Sequence, residues 1–438
     1  MSMPPDIAPH FEFRGGRLHV ENVELATIAA RFGTPAYVYS KAALLDAYSA
    51  YDHAAAKYAE RGGALVCYAV KVNSNLAILN LFASLGAGFD IVSGGELARV
   101  IAAGGDPGKV IFSGVGKSVS EMRSALAAGI RCFNVESVSE LRRLSAIAGE
   151  AGSIARISLR VNPDVDAKTH PYISTGLSES KFGIAHRDAR EAYREAVQLP
   201  HLAVIGIDCH IGSQLLDDAP LLAALDRLIA LIDDLDEDGI EIEHIDLGGG
   251  LGILYGNESD GAIPPAPADY LARVFAHIDA WRAGRHGGKP IAVMFEPGRS
   301  LVGKAGVLLT AVEVLKPGAT RNYAVVDAAM NDLLRPALYD AWHEVVPVVA
   351  SSTAGEMTWD VVGPICESGD WLARGRKLRL TEGDLLAFLS AGAYGMAMAS
   401  NYNTRPRAIE LLVDGDDIHV IRERESVASL FADEHVVT

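Results

Sequence analysis

Between about residue 60 and residue 300 the chain repeats one unit. A short apolar, β-branched run is followed by a longer stretch rich in Ala, Leu and charge, with its apolar residues at helical spacing. The runs are "ALVCYAV", "FDIVS", "VIFSG", "CFNVE", "ISLRVN", "VIGIDCH", "IEHIDLG" and "IAVMFE". Between them lie "GELARVIAAG", "SVSEMRSALAAG", "SVSELRRLSAIAG" and "DAREAYREAVQL". Apolar strands alternating with amphipathic helices that stop near glycine predict parallel βα units. Roughly eight of them favour a closed barrel, and an open doubly wound sheet is the alternative.

After Arg299 the texture changes to short alternating runs, "GVLLTAVEVLK", "NYAVVDA", "TWDVVGP", "DLLAFL" and "IELLVDGDDIHVI", separated by Gly, Pro and Asp turns. These predict a mainly β second domain, and the N-terminal "FEFRGGRLHV" reads as a hairpin that joins it. The expected fold is therefore α/β: a (β/α)8 TIM-type barrel over 36–300, with 1–35 and 301–438 forming the mainly β domain. The segment "DVDAKTHPYISTGLSESKFGI" is too long for a plain connector and is either a lid or a variable excursion.

Composition bounds the partners. A chain of 438 residues, 49% hydrophobic, can bury a large core, and its net charge of -17 repels phosphate backbones and anionic lipid, which argues against nucleic acid and membrane surfaces. No segment is an apolar run of membrane-spanning length, and "MSMPPDIAPH" lacks a basic stretch leading into one, so a soluble, cytoplasmic protein is expected. Cys67, Cys132 and Cys209 lie in strand-like runs as expected buried thiols, none has zinc-ligand spacing, and no metal is expected. Cys366 differs, because it stands among turn formers and acids in "GPICESGD".

In a (β/α)8 barrel, catalytic groups sit where the strands end at the C-terminal face. Reading the exits in order gives Lys71, Asp90, Ser113, Glu136, Arg160, His210, Gly248 to Gly250, and Glu296 with Arg299. Lys71 alone reads most simply as a solvated cap and His210 alone as a core histidine; their collection into one ring of polar exits argues for chemistry. "DLGGGLG" and "EPGRS" place glycines after the seventh and eighth strands, where bare N–H groups suit a phosphate, although tight turns would use the same residues. The dinucleotide fingerprint is absent, since Ile253, Leu254 and Tyr255 follow Gly252 where a third glycine is wanted. A lysine, a phosphate cup and a strand-end carboxylate are together what pyridoxal 5'-phosphate requires.

"YAVKVN", "FDIVSGGEL", "FSGVGK", "HIGSQ", "DLGGGLG", "EPGRS", "RPALYD", "GPICESGD" and "GAYG", in this order and spanning about residues 10 to 425, resemble the fold type III pyridoxal-phosphate decarboxylases, most nearly the branch acting on diaminopimelate. The resemblance implies the two-domain layout shared with alanine racemases. It also implies that Lys71 carries the cofactor, His210 stacks on its ring, and Glu296 pairs with the ring nitrogen. Ser213, Gly250, Gly298 and Arg299 would surround the phosphate, with Tyr394 nearby. Arg299 and Arg335 would meet a substrate carboxylate beside Tyr339 and Tyr394, Glu367 an amine, and Cys366 would donate a proton. It further implies a homodimer in which "CESGD" reaches into the partner's barrel.

The implied reaction is decarboxylation of meso-2,6-diaminopimelate to L-lysine and carbon dioxide, the last step of lysine biosynthesis. Alanine racemases place an arginine at the ring nitrogen, so glutamate there favours decarboxylation. Ornithine and arginine decarboxylases share the cofactor motifs and are the alternative. The ornithine branch has aspartate after the cysteine, where this chain has Glu367, and Arg335 with Tyr339 suits a second carboxylate. A buried arginine left without that carboxylate would reject ornithine or lysine by roughly 10⁴-fold. A non-catalytic relative acting as a regulator is a further alternative, but such proteins lose the lysine or the cysteine, and both are present.

Overall fold

A computed structural model describes residues 7–166, 176, 180–258, 262–283, 290–350 and 354–437. The chain divides into two compact units, Met1–Ala47 with Ile253–Asp260 and Ser300–Thr438, and Tyr48–Gly252 with Gly261–Arg299.

The second unit is the barrel. Its strands are β1 (Ala64–Ala69), β2 (Gly88–Ile91), β3 (Val110–Phe112), β4 (Cys132–Val135), β5 (Ala155–Asn162), β6 (Leu202–Asp208), β7 (His244–Asp246) and β8 (Ala292–Phe295), one for each apolar run in the sequence. All pair in parallel. β8 pairs with β1, and β4 with β5, so the ring closes and the open sheet is ruled out. Closure leaves no edge among the eight, which is why nearly every strand residue is buried.

The helices start and stop where their sequences say. Ser93, Ser118 and Ser137 each accept a backbone N–H three residues on, and Ser118 with Glu121 completes a capping box. Each cap contributes about 1 kcal/mol and fixes where the preceding loop ends. Gly129, at φ 70°, closes the helix Val119–Ala128 in the left-handed region that favours glycine. Inside the ring, Leu65, Cys67, Ile111, Cys132, Ile205 and Met294 pack into an apolar floor. Cys67, Cys132 and Cys209 are buried as expected, and Cys366 is exposed.

The other unit is β-rich. The expected hairpin pairs Phe11–Arg14 with Arg17–Val20, and Val23–Glu24 adds a third strand. A larger sheet runs in the order Trp371–Leu378, Met357–Val362, Tyr323–Val326, Gly306–Lys316, Ala36–Ser40, Ile409–Asp414, Asp417–Arg422. Leu18, Val20, Val38, Val307, Leu309 and Leu411 share its core. Each such side chain contributes about 1.5–3 kcal/mol on burial.

The expected boundary at residue 36 moves to 47. Ala36–Ser40 is hydrogen-bonded to Gly306–Leu309 and to Ile409–Val413, so it belongs to the β unit, as does the excursion 253–260. Of the long segment after β5, residues 167–175 and 177–179 lie outside the described residues, and with them the lid expectation. Among the described residues no helix is long and apolar enough to cross a membrane.

Candidate active site

Residues that are Cα partners on neighbouring strands point the same way, and every second residue faces the barrel interior. Arg160, Asp208 and Asp246 are partners across β5, β6 and β7, so their side chains form one inward row. Two residues further on stand His210, Gly248 and, beyond β8, Glu296. The ring therefore carries a polar tier above its apolar floor.

Lys71 sits in the single 3-10 turn Val70–Val72 that follows β1, anchored by the buried Val70 and Val72. Its Nζ donates to Asp90 Oδ2 at 2.7 Å. Asp90 is fully buried, and its other oxygen has no hydrogen-bond partner among the described residues. The lysine side chain is 33% exposed, so the amine stays accessible while the carboxylate fixes its position.

Glu136 organises the opposite wall. Its Oε1 accepts from Arg160 Nη1 at 2.8 Å and from the Gly114 N–H at 3.1 Å, and its Oε2 accepts from the Gly183 N–H at 2.7 Å. Arg160 in turn donates to the His210 carbonyl at 3.4 Å. The His210 Nδ1 accepts the Gly249 N–H at 3.2 Å, which leaves the ring proton on Nε2. Burial first, then Arg160 and Lys71, push its pKa well below the usual range, so the imidazole is neutral at neutral pH.

Glu296 is buried, and its Oε1 has no partner among the described residues. Burial, with Asp246 and Asp90 beside it, holds its carboxyl well above the usual range. Asp208 and Asp246 are also buried, each with an orphaned oxygen and a raised pKa. Oxygens of Asp208, Asp246 and Glu296 lie within 4.8 Å of one another. Such a cluster suits a cationic N–H donor.

Glycines shape the rim beside it. A Cβ on Gly249 would stand 2.3 Å from the Glu296 carbonyl oxygen, one on Gly250 2.6 Å from Leu215 Cδ1, and one on Gly298 2.3 Å from Val72 Cγ2. Gly250 has φ 123°, open to glycine alone at ordinary cost. Next to them Arg299, itself buried, donates from Nη2 to Ser213 Oγ at 3.1 Å. Lys71, His210, Ser213, Gly250, Glu296, Gly298 and Arg299 thus all belong to the barrel's C-terminal mouth.

The remaining candidates belong to the β unit. Arg335 and Tyr339 open and close one short helix, Arg335–Tyr339. The buried Arg335 donates from Nη1 to His343 Nε2 at 2.8 Å and lies over the Tyr255 ring at 4.7 Å. His343 donates from Nδ1 to the Leu389 carbonyl at 2.9 Å, so the histidine presents an acceptor to the arginine. Cys366 and Glu367 share an exposed turn that Asp370 ties down, accepting the Met330 N–H at 2.7 Å and the Ile365 N–H at 2.8 Å. Cys366 Sγ lies 3.8 Å from Asn403 Oδ1, and Glu367 accepts from the Tyr402 hydroxyl at 3.0 Å. Tyr394 holds a left-handed backbone at φ 56°, a conformation a tyrosine adopts only where its surroundings impose it.

Four residues of these networks escape the strand-exit reading: Asp208, Asp246, His343 and Asp370. A signal existed for the first two. Each stands two residues before a candidate, Asp208 before His210 and Asp246 before Gly248, and the strand period of two puts both on the interior face.

The mouth fits pyridoxal phosphate on its own geometry. Lys71 offers an amine, the orphaned Glu296 oxygen an acceptor for a ring N–H, and the glycine rim with Ser213 and Arg299 a place for phosphate. Comparison with known proteins agrees. Residues 47–303 match the family described as "Pyridoxal-dependent decarboxylase, pyridoxal binding domain". The diaminopimelate decarboxylase of Pseudomonas fluorescens is 56% identical over 428 residues, covering 98% of this chain and 99% of the relative. Among solved structures, diaminopimelate decarboxylase of Helicobacter pylori, complexed with L-lysine, superposes with TM-score 0.86 at 40% identity, covering 94% of this chain and 99% of that one. That of M. jannaschii, in co-complex with L-lysine, gives 0.92 at 37% identity, covering 98% of each. The chain belongs to the diaminopimelate decarboxylase family of pyridoxal-dependent decarboxylases.

Proposed function

We propose that the protein decarboxylates meso-2,6-diaminopimelate to L-lysine and carbon dioxide with pyridoxal 5'-phosphate, as the last step of lysine biosynthesis in the cytoplasm. The observation that carries the chemistry is the buried Glu296 oxygen just beyond β8, which has no hydrogen-bond partner among the described residues. Full-length identity to diaminopimelate decarboxylases supports the substrate.

When bound, the cofactor supplies an electron sink for the pair left behind as the carbon–carboxylate bond breaks. The chain does the rest. Lys71 Nζ would hold the cofactor covalently, and the Glu296 carboxyl, raised by burial, would give its proton to the ring nitrogen and pair with the N–H so formed, which makes that sink deep. His210, neutral and with its proton on Nε2, offers a flat face without adding a positive charge. Ser213, Gly250, Gly298, Arg299 and the Tyr394 hydroxyl would take the phosphate.

Arg299 and Arg335, the latter with Tyr339, would read the substrate's carboxylates, and Glu367 its far amine. Cys366 would return a proton to the carbon that lost carbon dioxide. Cys366 and Glu367 are exposed on their own unit, which supports a homodimer in which this turn serves the barrel of a second copy.

The test is borohydride reduction of the pyridoxal-phosphate-loaded protein, followed by mass spectrometry of its peptides, alongside product analysis. The label is expected on the peptide containing Lys71, with lysine formed in step with carbon dioxide. A label on another lysine, or diaminopimelate consumed without lysine, would contradict the reading.

A further inference from the structure

The barrel holds more buried carboxyls than its cations can match. Lys71 is engaged by Asp90, and Arg160 by Glu136 at 2.8 Å and Asp208 at 4.0 Å. Among the described residues no ammonium or guanidinium lies within ion-pair distance of Asp246 or Glu296. The titratable groups facing Asp246 are Asp208 from β6 and Cys209 just after it, Cys67 from β1, Asp90 from β2, Cys132 from β4, Glu296 beyond β8, and Tyr270, a buried phenol on the helix Pro267–Ala283. None of them is a cation, and the three thiols are held neutral by burial. Lys71 and Arg160 draw the Glu296 carboxyl down, but burial and the neighbouring Asp246 and Asp90 outweigh them, so the cluster retains protons.

With a ring N–H cation against Glu296 that carboxyl ionises, so the shared proton falls to Asp246, and the hydrogen bonds say on which oxygen. Asp246 Oδ1 accepts the Gly248 N–H at 2.9 Å, which leaves Oδ2 as the oxygen able to carry a proton, and Oδ2 has no other partner. A buried hydroxyl must donate; Asp246 is in side-chain hydrogen-bond contact with Glu296, while Asp208 has an oxygen within 4.8 Å. We propose that Asp246 is a neutral carboxylic acid that donates its proton to Glu296, and so positions and tunes the carboxylate that meets the ring nitrogen. This rests on the reading of Glu296 given above.

Asp246 is a positioning residue, since it acts through Glu296. An ionised Asp246 pushes the Glu296 carboxyl up, whereas a neutral one that donates to it draws it down, so the proton on Asp246 keeps Glu296 ionised against the ring N–H. It follows that the neutral donor asparagine can replace it, whereas an isosteric apolar residue cannot.

Two variants and one control test this. In infrared difference spectra of the pyridoxal-phosphate-loaded protein, Asp246→Asn is expected to remove a protonated-carboxyl band present in the wild type. In the loaded enzyme, Asp246→Leu is expected to weaken pyridoxal phosphate by about tenfold or more and to move the acid limb of the kcat/KM profile up by about one pH unit, while Asp246→Asn loses about threefold at most.

An unchanged infrared spectrum overturns the proposal even if Asp246→Leu fails to fold. So do equal defects in the two variants, an unmoved acid limb in Asp246→Leu, or a stoichiometric metal ion in the wild type that Asp246→Asn lacks. Glu296→Gln separates the two claims. Wild-type cofactor affinity and turnover in Glu296→Gln would sink the reading of Glu296 itself, whereas a defective Glu296→Gln beside silent Asp246 variants would sink only the role of Asp246.

Discussion

The Lys71 ammonium reaches Asp90 at 2.7 Å, and nineteen residues of chain separate them, so only closure of the sheet between β1 and β2 brings the pair together. What the sequence shows at this scale is residue type and strand-exit position. Lys71, His210 and Glu296 were legible because each ends an apolar run. Asp208 and Asp246 were not, because they lie inside such runs, where an acid reads as a local exception until the register places it inward.

Protonation state is less legible still. It depends on how many cations share a volume, which no linear pattern reports. The exposed thiol of Cys366 makes a sharp case at this scale. Cys366→Ala is expected to keep the cofactor's absorbance but lose about a hundredfold or more in kcat, the typical contribution of a general acid. Steady-state turnover alongside the absorption spectrum checks it; wild-type kcat would remove Cys366 as proton donor.

Among the elements, the eight strands, their helices and the N-terminal hairpin follow the hydrophobic pattern closely, since local periodicity and serine caps specify them. What the pattern hides is long-range pairing. Ala36–Ser40 is five buried residues that would suit a barrel strand, and only its partners at Gly306–Leu309 and Ile409–Val413 assign it to the β sheet. The strand Trp371–Leu378 was likewise hidden, because charges at Arg374, Arg376 and Lys377 mask its alternation.

The turn carrying Lys71 and the turn carrying Gly298 interlock, with room for no Cβ between them. Gly298→Ala is therefore expected to cost about 1–3 kcal/mol of stability by overpacking against Val72, and to weaken pyridoxal phosphate binding. Val72→Ala in the same chain should restore part of both. Thermal unfolding and cofactor titration read the two effects. A Gly298→Ala protein of wild-type stability would show that the rim yields more easily than its geometry implies.

For the whole molecule, the net charge of -17 disfavours anionic substrates and leaves a zwitterion of balanced charge unopposed. Diaminopimelate carries two amines and two carboxylates, and on the proposed reading Glu367 meets the far amine and Arg299 and Arg335 the carboxylates. The most direct measurement is carbon dioxide release by the pyridoxal-phosphate-loaded protein from meso-diaminopimelate, ornithine, arginine and lysine side by side. Diaminopimelate is expected to be preferred in kcat/KM over each of the others by roughly 10⁴-fold, because on the proposed reading they leave Arg335 without a carboxylate. Equal or faster release from ornithine or arginine would contradict it.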